Sequence, residues 1–328
     1  MTRVPLTLAC GNYDRVWPLA DGRVSPEGVD LNLITLEPEE CFFRMISNAE
    51  FDVAEMSLAS YAIAKANGDD RFVGVPVFLS RSFRHSTIYV REGSDITEAA
   101  DLAGRRVGVP EYQMTASVWT RALLRHDFNV DTTGIVWCTG GLEQAGRHER
   151  QPLTLPDWVH TEHVPGTLSQ ALVDGEIDAL MAPRVPSVFR EPASPVRRLW
   201  PDFAARETEY FGRTGMFPIM HMLVIRSDVD RAHPWLARSL YKAFSQAKQV
   251  ALAGLADAPA LRYTIPFLLD TLERQREVFG ADPWPYGLAA NRDILTKFIG
   301  YLVEQGLLAA PLDVDGLFAP GTRVESRI

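Results

Sequence analysis

The segment SRSFRHS, residues 80–86, gathers Arg81, Arg84 and His85 around Phe83 within seven positions. In an extended strand side chains alternate, so Arg81, Phe83 and His85 would share one face, with Ser82, Arg84 and Ser86 on the other. A guanidinium beside an aromatic ring and an imidazole suits an aromatic carboxylate. The guanidinium grips the acid with two parallel hydrogen bonds, the ring packs, and the imidazole moves a proton. His221 lies in the apolar run GMFPIMHMLVI, where a histidine is costly to bury unless its nitrogens find partners. It is expected to face His85 from a neighbouring strand, so that the two form a proton-handling pair.

Other candidates follow the ends of predicted strands. In VPEYQMTAS, Glu111, Tyr112 and Gln113 stand between a strand and a helix beginning near Thr115. Amides at that helix start can receive an anion, and Glu111 is a reserve acid or base; the plainer alternative is a capping loop. Arg184, in APRVPS, occupies the matching place in a later strand–loop unit. GNYDRVWPL offers Asn12, Asp14 and Arg15 after the first strand, and Ser57 ends the strand of EFDVAEMS. Trp284 and Tyr286 sit in the proline-stiffened DPWPYGL, as walls for a ring or as ordinary helix packing.

Several chemistries lack support. HTEH, residues 160–163, has a spacing that binds metal on a helix, but in a strand His160 and His163 point to opposite faces, so no metal site is expected. No GxGxxG opens a helix after a strand and no GxxxxGK[ST] occurs, which leaves nucleotide cofactors unsupported. All four lysines, Lys65, Lys242, Lys248 and Lys297, fall in predicted helices, against a pyridoxal Schiff base. A net charge of -9 disfavours non-specific nucleic-acid binding. Cys10, Cys41 and Cys138 form no CxxC pair and point to a reducing compartment. No apolar run nears the roughly 20 residues of a membrane span. VPLTLAC reads as a first buried strand rather than a cleaved leader, so a cytoplasmic protein is expected.

The elements that must position these residues alternate short apolar runs with helix-period segments, the pattern of an α/β fold with largely parallel sheets. Strands are expected at 4–10, 29–36, 51–55, 72–79, 87–91, 106–109, 135–138, 160–164, 177–181 and 216–225. Helices are expected at 38–48, 58–67, 115–126, 168–174, 234–253, 258–279 and 289–305. EFDVAEMS and EIDALMAP, about 125 residues apart, share an acidic-apolar-Asp opening followed by a short strand, which suggests two lobes on one plan. Long strands near 79–91 and 214–226 would run side by side as hinge strands. One lobe would then comprise residues 1–86 and 222–328, the other 87–221, with the ligand between them beyond the strand ends.

Six blocks, SRSFRHSTIYVR, VPEYQMTASVWTR, GTLSQALVDGEIDALMAP, TGMFPIMHMLVIR, PWLARSLYKAF and WPYGLAANRDIL, occur in an order that resembles the 4,5-dihydroxyphthalate decarboxylase family. The similarity runs from CGNYDR to EQGL. It implies two Rossmann-like lobes joined by hinge strands, as in type II periplasmic binding proteins. It also implies loss of one ring carboxylate from 4,5-dihydroxyphthalate to give protocatechuate and carbon dioxide, with no organic cofactor. On that expectation Arg81, Arg84 and Arg184 hold carboxylates, and His85 and His221, with Glu111 in reserve, handle protons. The rival readings are a non-catalytic solute-binding protein for an organic acid and an enzyme of thiamine-pyrimidine synthesis. The partner expected is a small aromatic carboxylate; a homo-oligomer is left open.

Overall fold

A computed structural model describes residues 3–256, 261 and 263–323. These fall into two compact units. The first lies within Met1–Arg81, Ile219–Thr296 and Leu312–Ile328, the second within Ser82–Pro218 and Lys297–Pro311.

The first unit opens with β1 (Val4–Cys10), β2 (Val29–Thr35), β3 (Val53–Ser57) and β4 (Phe72–Arg81). β1 runs parallel to β2 and β3. Helix Pro38–Asn48 starts on a proline, whose missing N–H costs nothing at that position. Helix Leu58–Ala66 is capped by Ser57, whose side chain accepts from the Ser60 amide. All five residues of β3 are buried, as befits a strand covered on both faces. β2, at the sheet edge, is fully buried only at Val29.

The second unit holds β5 (Ile88–Arg91), β6 (Arg106–Val109), β7 (Val136–Gly141), β8 (His160–Thr167), β9 (Ala179–Met181) and β10 (Val196–Arg198), in the order β10-β5-β9-β6-β7-β8. β6, β7, β8 and β9 pair parallel; β5 and β10 are antiparallel additions. The chain then returns to the first sheet as β11 (Ile219–Arg226), antiparallel between β3 and β4. Among the described residues no helix is long and apolar enough to cross a membrane.

The repeated motif has a structural reason. The Asp52 carboxylate accepts the Thr7 amide of β1, and the Asp178 carboxylate accepts the Arg106 amide of β6, both at 2.9 Å. In each unit the aspartate thus ties the strand it introduces, β3 or β9, to a parallel neighbour.

Three expectations need correction. The strand through residues 79–91 breaks at Arg81, and His85–Thr87 forms a 3-10 turn closed by Thr87 Oγ1 donating to the Arg84 carbonyl. The alternation that put Arg81, Phe83 and His85 on one face therefore does not apply. Residues 297–311, expected with the first lobe, pack with the second unit. Phe298 stacks on Trp119 and Gln305 meets Arg121. Helix Phe203–Thr214, closed by Gly215 in the left-handed conformation, and the three-residue β10 were not among the expected elements. The helix expected to begin at 258 is observed over Leu268–Phe279; residues 257–260 and 262 lie outside the described residues.

Candidate active site

In the first unit β11 places His221 opposite Ser57 on β3 and Ser80 on β4. Glu55 stands opposite Leu223, two residues along; a period of two puts Glu55 and His221 on the same face of the sheet. The fully buried Glu55 carboxylate accepts three hydrogen bonds. Oε1 accepts the Tyr13 hydroxyl at 2.6 Å and His221 Nδ1 at 2.7 Å, while Oε2 accepts the Gly11 amide at 2.7 Å. Burial alone would push this carboxyl up. The bonds from His221, Tyr13 and Gly11 outweigh it and hold Glu55 below the ordinary glutamate value.

An ionised Glu55 requires Nδ1 of His221 to carry hydrogen, so Nε2 presents a lone pair in the neutral ring and a proton in the charged one. Nδ1 is the bound nitrogen, and about a fifth of the side chain is exposed. Phe42 meets the ring edge-on at 4.7 Å. A carboxylate-oriented imidazole that is partly exposed can take up or deliver a proton.

The turn after β1 completes this cluster. The Tyr13 ring folds back over Gly11, so closely that a Cβ at Gly11 would lie 2.7 Å from it. Burial, then Glu55, pushes the Tyr13 phenol up, keeping it a donor. The Arg15 guanidinium lies 4.3 Å from the Tyr13 ring centre and 4.2 Å from that of Trp284, with Nε donating to the Leu79 carbonyl at 3.1 Å. Asp14 pairs with Arg15 at 3.2 Å. Trp284 Nε1 donates to the Phe78 carbonyl at 2.8 Å. Tyr286 is buried, its hydroxyl lacks a partner among the described residues, and burial pushes its phenol up. Asn12 is exposed and accepts from Trp17 Nε1 at 2.7 Å. Burial, then Glu55, raises the thiols of Cys10 and Cys41, the latter to about 12, which removes both as thiolate nucleophiles near neutral pH.

Arg81 is buried, with Nη2 donating to the Pro285 carbonyl at 2.8 Å and to Asn291 Oδ1. Burial lowers its guanidinium to about 9.

In the second unit His85 is 3% exposed and packs against Trp200, Tyr210 and Phe128. Burial, then Arg206 and Arg213, lowers its imidazole to about 4, so it is neutral near pH 7. The expectation that His85 faces His221 across paired strands fails, because Ser80 holds that position and His85 has left the sheet. Arg84 is buried, with burial lowering it to about 10; Glu207 is the nearby charge that partly offsets this.

Glu111 is also buried, and its carboxylate meets Arg147 Nη2 at 2.5 Å and Arg150 Nε at 3.2 Å. The anion expected at the Tyr112–Gln113 amides is the chain's own Glu149. It accepts from both, at 3.3 Å for Gln113. Tyr112 donates its hydroxyl to the Gln305 carbonyl at 3.0 Å, under the Arg121 guanidinium. Arg184 is exposed beyond β9. His160 and His163 are exposed on β8, and no cluster of three or more potential metal-ligating side chains occurs among the described residues.

Of the residues singled out from sequence, the first unit brings together His221, Ser57, Asp14, Trp284 and Tyr286. The second brings together Glu111, Tyr112 and Gln113. Sequence reasoning assigned no role to Glu55, Tyr13, Arg147, Glu149 or Arg150. Glu55 had a usable signal, an acid inside an apolar strand that must find partners. Arg147, Glu149 and Arg150 lie in an irregular loop with no periodicity to place them.

No family model matches the chain. It is 42% identical over 324 residues, 98% of each sequence, to 4,5-dihydroxyphthalate decarboxylase of Comamonas testosteroni. It is 43% identical over 213 residues to that of Pseudomonas putida, covering 64% of this chain and 83% of the relative. The fold matches the periplasmic aliphatic sulphonate binding protein SsuA from Escherichia coli, with a TM-score of 0.52 at 15% identity, over 100% of this chain and 96% of that one. The expected periplasmic-binding-protein-like α/β architecture is therefore observed, and with identity of this extent the chain belongs to the 4,5-dihydroxyphthalate decarboxylase family.

Proposed function

We propose that the protein is a carboxy-lyase that converts 4,5-dihydroxyphthalate to protocatechuate and carbon dioxide, with His221 as its proton-carrying group. The observation that carries the reaction is the 42% identity to a decarboxylase of that substrate over 98% of both chains. The role of His221 is supported by its bond to the buried Glu55 and the partial exposure of its side chain.

In this reading the imidazolium delivers a proton to the ring carbon that bears the departing carboxylate. The hydroxyl para to that carbon feeds electron density into the ring as the proton arrives. The carbon–carbon bond then breaks, its electrons restore aromaticity, and carbon dioxide leaves. His221 regains a proton from solvent, so one proton is consumed per turnover. Glu55 acts through His221 as a positioning residue, fixing ring orientation through the bond to Nδ1. Arg15, between two aromatic rings, supplies positive charge near substrate carboxylates. His85, neutral and caged by aromatic rings, is assigned a packing role rather than the expected catalytic one.

Incubating the purified protein with 4,5-dihydroxyphthalate should yield equal amounts of protocatechuate and carbon dioxide. Saturable binding without either product would overturn the assignment in favour of a binding protein.

A further inference from the structure

The loop of residues 142–159, between β7 and β8, carries charged side chains back onto the segment that precedes helix Thr115–Asp127. Glu149 occupies the Tyr112 and Gln113 amides, a concave pair of donors of the kind that binds anions. Gln113 has no exposed surface, and its side-chain oxygen lacks a partner among the described residues. Its side-chain nitrogen donates to the Gln151 carbonyl at 3.4 Å, so the amide group points at this same loop. A buried acceptor beside two backbone donors is more than a loop anchor needs. It matches a ligand that brings both a carboxylate and a hydroxyl.

We infer that Glu149 is an internal stand-in for a substrate carboxylate, a plug that must leave the Tyr112–Gln113 amides before a ligand carboxylate can take its place. This rests on the reading of the protein as a decarboxylase of an aromatic dicarboxylate.

The exchange is balanced. One carboxylate leaves the amides and another arrives, so the charge facing Arg121 and Glu111 does not change. Burial pushes the Glu149 carboxyl up, and Glu111 adds to this against its backbone bonds; the plug is thus held less firmly than its two amide bonds suggest. The loop is held largely by polar bonds, those of Arg147 and Arg150 to Glu111 among them. Residues 143–150 contribute no apolar side chain to the core, and Arg147, Glu149 and Arg150 are half-buried, so little apolar packing within the loop opposes its release. Moving Gln151 away frees the Gln113 amide nitrogen as a donor beside its waiting oxygen. An aromatic acid with a ring hydroxyl can use both.

A ligand that competes with a plug binds more weakly by the fraction of time the site stands open. If that fraction is one-tenth or less, Glu149→Ala should tighten phthalate binding about 10-fold or more. Calorimetry with phthalate, an unreactive benzene dicarboxylate, on the full-length wild type and E149A reads this directly. The KM for 4,5-dihydroxyphthalate should fall in parallel. Unchanged or weaker binding by an E149A protein with wild-type circular dichroism would overturn the plug while wild-type turnover leaves the decarboxylase reading intact. A wild type without turnover would overturn both. Should E149A not fold, hydrogen exchange on the wild type decides. With phthalate, residues 143–151 should exchange faster while the Tyr112 and Gln113 amides stay protected; slower exchange in that loop refutes the proposal.

Discussion

The chemistry of the first unit rests on one buried carboxylate with three donors. Replacing His221 by alanine removes the proton carrier and should lower kcat by roughly 10²–10⁴-fold, with a much smaller change in KM. Steady-state kinetics separates the two. Glu55→Gln keeps the shape but loses the charge that holds Nδ1. It should lower kcat with little change in KM while circular dichroism stays that of the wild type; an unchanged kcat would deny Glu55 the positioning role. His85 makes a different prediction. Its folded value of about 4 lies below the unfolded value near 6.5. Between these values the unfolded chain binds the extra proton, so stability is lost as pH falls from about 6.5 to 4, by up to roughly 3 kcal/mol. His85→Phe, which suits the aromatic cage, should remove that dependence when urea unfolding is followed across this range.

At the scale of elements, two features decide whether the site is assembled. The turn after β1 works because Gly11 leaves room for the Tyr13 ring. Gly11→Ala would place a methyl group 2.7 Å from that ring and displace the Tyr13 hydroxyl from Glu55. Turnover should fall in G11A even where circular dichroism is unchanged. The paired aspartates act on the sheets. Asp52→Ala and Asp178→Ala each strand a backbone donor between parallel strands and should cost about 1–3 kcal/mol each in urea unfolding. These two residues explain the repeated motif more economically than any shared chemistry. By contrast, the expected strand through residues 79–91 fails for a local reason. Composition and alternation do not register that the chain leaves the sheet at Arg81, where a buried guanidinium is taken up by Pro285 and Asn291.

For the whole molecule the partition of the chain carries a prediction. Residues 297–311 belong with the second unit. There Gln305 accepts from Arg121 Nε at 2.7 Å, donates to the Val118 carbonyl at 3.0 Å, and receives the Tyr112 hydroxyl on its own carbonyl. Residues 82–218 expressed alone would leave Arg121, a fully buried cation, without this partner and Trp119 without Phe298. That fragment should fail to show a cooperative thermal transition by circular dichroism. A version with residues 297–311 joined through a linker should recover one.

The α/β class, the ten expected strands and most helices were legible in sequence, because apolar periodicity and turn residues act over a few positions and need no knowledge of what packs where. His221 was legible as a residue in need of a partner. The identity of that partner was not, because Glu55 lies 166 positions away and is brought to it only when β11 inserts between β3 and β4. The same holds for Glu149 on the Tyr112 and Gln113 amides: an irregular loop has no period, so its landing place follows from ion pairs formed after the strands are laid down. Local pattern determined the elements. Long-range strand pairing and burial decided which side chains meet and which of them stay charged.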